Sequence, residues 1–122
     1  MQRLILPTLL MLALASPVMA ADPQVIEVSL DSYSITPDRI VVNVNEPVTL
    51  KVTNKATLTP HDLIIKAPEA DIDVVVDLHA GKSGEVTFTP TRTGTYEVLC
   101  NKKLLFFKSH KDKGMHGVLV VE

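Results

Sequence analysis

The tightest constraint on this chain is the way short alternations of apolar and polar residues are cut, again and again, by turn residues. In 24–35, Ile26, Val28 and Leu30 alternate with Val25, Glu27 and Ser29. Thr36-Pro37-Asp38 breaks that run, and 39–44 resumes it with Ile and Val. Asn45-Glu46-Pro47 is the next turn signal, after which Val48, Leu50 and Val52 alternate with Thr49 and Lys51. Further β-rich runs follow at 61–66, 70–78, 85–89, 95–100 and 117–121, separated by turns at 81–84 and 91–94. A period of two sends successive side chains to opposite faces of a strand, whereas a helix needs a period near 3.6. No long segment carries the helical period. Many short strands at near-regular spacing predict an all-β Greek-key sandwich or barrel.

The N-terminus has a different character. Met1-Gln2-Arg3 is a short basic start, and 4–15 is a nearly continuous apolar run interrupted by Pro7 and Thr8. Val18-Met19-Ala20 supplies small residues of the kind found at a cleavage point. The run is too short to span a bilayer comfortably and has the flanks of a secretory signal peptide. The expected organisation is therefore a signal peptide at 1–20 and one domain at 21–122, exported to the periplasm with no membrane span in the mature protein. No repeat, low-complexity tract or linker suggests a second domain. A domain near 100 residues buries enough apolar surface to stand without disulfides.

None is available in any case, because Cys100 is the sole cysteine. A lone thiol in an oxidising compartment invites oxidation, and metal ligation is the first reason for it to be there. The net charge is −2. Acids gather at Glu69, Asp71, Asp73 and Asp77, and lysines at Lys102, Lys103, Lys108, Lys111 and Lys113. A chain that is not basic overall and has no aromatic stacking platform does not predict nucleic-acid binding.

Four donor side chains fall in an informative order. His61 opens a strand after Thr59-Pro60, Cys100 ends one, and His110 and Met115 lie in the long connection before the last strand. Long connections in compact domains are usually functional. Two imidazoles, a thiolate and a thioether form a soft donor set suited to copper, with a weak axial thioether. Taken singly, each has a plainer role: His61 as a hydrogen-bonded core histidine, Cys100 as an inert core thiol, Met115 as a gap filler. His79 precedes Ala80-Gly81 and reads as a surface turn residue. His116 stands beside Met115 on the opposite face of an extended segment and is the substitute ligand.

Over nearly the whole of 21–122, and most densely from Asn54 onward, these features resemble the cupredoxins, the plastocyanin and pseudoazurin group of blue-copper proteins. The stretch V-T-N-K-A-T-L-T-P-H-D-L is similar to the family's upstream histidine segment, and L-H-A-G-K-S-G-E-V-T-F-T-P to its middle turn and strand. G-T-Y-E-V-L-C and S-H-K-D-K-G-M-H-G-V-L-V-V resemble its ligand loop and last strand. The resemblance implies a cupredoxin-type β-sandwich holding one copper ion, with His61, Cys100 and His110 as equatorial ligands and Met115 as the axial one. Two positions depart from the family pattern. Residues 101–109 separate Cys100 from His110, where relatives commonly have only a few residues, and Asp62 follows His61 where relatives often have Asn.

The expected function is one-electron carriage between redox partners by a monomer that is not an enzyme. Alternatives are a copper carrier or chaperone, and an open copper site with ligand-binding or catalytic activity. Met115 is the only methionine after residue 20, which gives the chaperone little support. A Cys100–His110 nucleophile pair is a poorer reading, because no oxyanion site or orienting partner is evident. The Leu104-Leu105-Phe106-Phe107 segment, flanked by lysines, reads either as a docking patch for an acidic partner surface or as a plug over the core.

Overall fold

The computed structural model describes residues 2–3, 24–100 and 115–122. The described chain forms nine strands: β1 (Gln24–Asp31), β2 (Ser34–Thr36), β3 (Arg39–Val42), β4 (Val48–Asn54), β5 (His61–Ala67), β6 (Ile72–Leu78), β7 (Ser83–Phe88), β8 (Gly94–Leu99) and β9 (His116–Val121). One 3-10 turn, Pro68–Ala70, is the only helical element among the described residues. The strands build a four-stranded sheet, β2-β1-β4-β7, and a five-stranded sheet, β3-β9-β8-β5-β6. Two pairings are parallel, β1 with β4 and β3 with β9; the others are antiparallel. This is the expected all-β sandwich.

The alternation in the sequence maps onto the two faces of each sheet. Val28 and Leu30 of β1 and Val48, Leu50 and Val52 of β4 point inward from one sheet. Leu63 and Ile65 of β5, Ile72, Val74 and Val76 of β6, Val98 of β8, and Leu119 and Val121 of β9 meet them from the other. Outward positions on the four-stranded sheet form polar cross-strand rows, such as Glu27 beside Lys51 beside Glu85. Cross-strand pairs of opposite charge support a sheet face at little cost.

One expected strand is two. The run at 24–35 folds as a hairpin, with β1 and β2 joined through Ser32-Tyr33 and Asp31 opposite Ser34. Tyr33 takes φ 66°, and the Asp31 carboxylate accepts a bond from the Ser32 backbone N–H at 2.7 Å. A left-handed turn position is ordinarily a glycine or asparagine. With tyrosine there, the glycine or asparagine that would mark the left-handed position is missing, and Asp31-Ser32 alone does not announce the turn. Asn45, by contrast, has φ 61° in the turn that its sequence announces.

Candidate metal centre

Three central strands of the five-stranded sheet bring the described donors to one end of the sandwich. β8 runs antiparallel to both β5 and β9, so its last residue lies beside the middle of β5 and the start of β9. Leu99 pairs with Ile64 on one side and His116 on the other. One step beyond come Cys100, just after β8, and Met115, just before β9. His61 is the first residue of β5.

All three donor side chains face the core. His61, Cys100 and Met115 are each 0% exposed, and Cys100 and Met115 pack in the same apolar cluster as Leu63, Val98 and Leu119. Cys100 Sγ lies 3.7 Å from His61 Nδ1. His116 is exposed on the outer face, and His79 is exposed at the turn between β6 and β7. His110 and the 104–107 segment lie outside the described residues. Among the described residues, no three His, Cys, Asp or Glu side chains cluster. The expected site draws only His61 and Cys100 from that class within the described part, and its thioether is not of that class.

The 3.7 Å separation suits two donors on a common ion. Bonds of about 2.0 Å to nitrogen and 2.3 Å to sulfur, at a trigonal angle, set the two donors about 3.7 Å apart. The soft thiolate, the imidazole and the buried thioether close by are the donor types that copper favours. The same enclosure does not suit a nucleophile, since a substrate must reach the sulfur.

The strand ends are held by contacts that the sequence reading did not single out. Asn54, at the end of β4, is fully buried. Its amide Nδ2 donates to the Thr59 carbonyl at 2.9 Å and the Leu78 carbonyl at 3.2 Å, while Oδ1 accepts from the Ala56 N–H at 3.0 Å. Its backbone N–H donates to Lys82 and its carbonyl accepts from Gly81. The signal was present: the alternation Val48, Leu50, Val52 continues onto Asn54. A polar residue on a core face must find hydrogen-bond partners. On the other side of the site, Gly117 lets β9 approach the Asp38 backbone, and the Val118 N–H donates to the Asp38 carbonyl at 2.8 Å.

The sequence matches the family model of the cupredoxin-like domain over residues 4–121, and the chain belongs to that family. No curated protein matches it. Among solved structures, it is similar to a dithionite-reduced auracyanin from the photosynthetic bacterium Roseiflexus castenholzii. That likeness has 21% identity and a TM-score of 0.67, and covers 81% of this chain and 97% of that one. It is also similar to auracyanin A, a blue copper protein from the green thermophilic photosynthetic bacterium Chloroflexus aurantiacus. Here identity is 23% and the TM-score 0.62, with 83% of this chain and 100% of that one covered. Auracyanin B gives 23% identity and a TM-score of 0.64, covering 81% of this chain and 88% of that one. At these identities the likeness establishes the fold.

Proposed function

We propose that the protein is a periplasmic one-electron carrier that binds a single copper ion through His61, Cys100, His110 and Met115. The observation that carries this reading is the fully buried Cys100–His61 contact at 3.7 Å, with buried Met115 at the same strand ends. Bound copper would supply one reversible electron through its Cu(I) and Cu(II) states. The chain's own part is to hold the donors in place. His61 is fixed by the β5–β6 ladder, Cys100 by the end of β8 and Met115 by the start of β9. A stiff frame limits movement of the donors between oxidation states, and the apolar enclosure excludes water from them. The auracyanin likeness and the blue copper character printed for auracyanin A support the choice of metal.

Burial of all three described donors favours a carrier of electrons over a deliverer of ions, because an ion that must be handed on needs exposed ligands. Export to the periplasm is supported by the apolar run at 4–15 and the small residues at 18–20. No helix among the described residues is long and apolar enough to cross a membrane. The partner is proposed to be a redox protein with an acidic docking surface, on the strength of the lysines at 102, 103, 108, 111 and 113. Its association rate should then fall as salt rises.

The test is a copper(II) titration of the full chain, followed by repeated cycles of reduction and reoxidation. One equivalent should bind and survive the cycles. Release of the ion on reduction would favour the delivery role and overturn the carrier.

A further inference from the structure

We infer that Asn54 is a positioning residue for His61, setting the imidazole against Cys100 by clamping the chain on both sides of it. The inference rests on the proposed metal site, and it adds a residue that the ligand set does not contain.

Asn54 is two residues beyond Val52 on the core-facing side of β4, in the opposite sheet from His61. Its two amide hydrogens reach two carbonyls that bracket the histidine. One is Thr59, two residues before His61 along the chain. The other is Leu78, the cross-strand partner of His61 in the β5–β6 ladder. The carbonyl oxygen of the same side chain fixes the Ala56 N–H, in the loop that leads to Thr59. Main-chain bonds from Asn54 to Gly81 and Lys82 secure the turn after Leu78. Asn54 therefore crosslinks three segments: the approach to His61, the strand beside it, and the turn that strand enters.

The chemistry of the side chain matters as much as its place. Two hydrogens and an acceptor oxygen on one short planar group match two carbonyls and one N–H. An aspartate has the same shape but no hydrogen to donate when ionised, and it would turn a negative oxygen toward the Thr59 and Leu78 carbonyls. A serine is too short to span both. Neither substitution alters a metal donor. Asn54→Ser adds no charge, so with that variant a change at the metal reports the position of His61.

The experiment compares the full-length protein with Asn54→Asp, Asn54→Ser and Leu50→Ala. Leu50 is buried four residues earlier on the same strand, and its truncation weakens the core without touching the clamp. Urea unfolding gives the stability of each variant, and copper(II) titration gives the dissociation constant and the visible bands. Either Asn54 variant should bind copper(II) at least about tenfold more weakly, with shifted bands, while Leu50→Ala keeps both near the parent values. Asn54 variants that lose stability but keep the parent's affinity and bands would overturn the inference; Asn54→Ser keeps the test available if Asn54→Asp does not fold. A parent chain that takes up no copper would sink the proposed function instead. In that event the metal-free proteins decide. The rate at which a thiol reagent labels Cys100 should rise about tenfold in the Asn54 variants over Leu50→Ala, since the His61 ring packs 3.7 Å from the sulfur. Equal rates would refute the positioning role.

Discussion

Gly117→Ala is a sharp test of how β9 is seated next to the candidate site. A Cβ built on Gly117 would lie 2.5 Å from the Asp38 carbonyl oxygen, and 3.2 and 3.3 Å from that residue's carbonyl carbon and Cα. An unstrained carbon-to-oxygen contact is about 3.3 Å. The two backbones must therefore separate by about 0.8 Å, and neither atom belongs to a flexible side chain. Forced overpacking of this kind costs about 1–3 kcal/mol. The separation also strains the 2.8 Å bond from the Val118 N–H to the Asp38 carbonyl, which has a net worth of about 1 kcal/mol. Alanine returns roughly 0.5–1 kcal/mol by restricting the unfolded chain. The net loss is about 1–3 kcal/mol, which at a slope of about 2 kcal/mol per M lowers the urea midpoint by roughly 0.5–1.5 M. Because Gly117 follows Met115 by two residues, the copper(II) bands should shift as well. A midpoint within about 0.3 M of the parent would show that β9 yields freely and would refute the close-packing argument.

Four further substitutions test other parts of the fold and the site. Tyr96→Phe removes the hydroxyl that donates to the Arg92 carbonyl at 2.8 Å; it should cost about 0.5–1.5 kcal/mol in urea unfolding and leave the copper bands unchanged, since Tyr96 lies toward the far end of β8. Leu50→Ala should cost about 2–5 kcal/mol by leaving a cavity between the sheets, measured in the same way. Met115→Leu conserves volume and should cost under about 1.5 kcal/mol, yet it should move the copper bands in the visible spectrum, while His116→Ala on the outer face should not.

The inward and outward faces of this sandwich were legible because period-two alternation reports which side chains enter the core. Val48, Leu50 and Val52 illustrate this, and so do Val98 and Cys100. Alternation says nothing about which strand lies beside which, so the parallel pairings of β1 with β4 and β3 with β9 were not foreseeable. The β1–β2 hairpin was hidden because Tyr33 occupies a left-handed turn position without the glycine or asparagine that would announce it. Donor chemistry made His61, Cys100 and Met115 stand out, and the antiparallel run of β8 between β5 and β9 explains how residues so far apart in sequence reach one end of the fold. Asn54 and Gly117 were less legible. Their significance comes from contacts with Leu78, Thr59 and Asp38, which only the assembled sheets bring within reach.

The Cys100 sulfur and the His61 imidazole are proposed to share one copper ion. The most direct measurement is the visible absorption and paramagnetic resonance spectrum of the copper(II)-loaded full chain, beside that of Cys100→Ser. The parent should show an intense sulfur-to-copper charge-transfer band that disappears in Cys100→Ser. A parent spectrum without that band, or a band that persists in Cys100→Ser, would contradict that proposal.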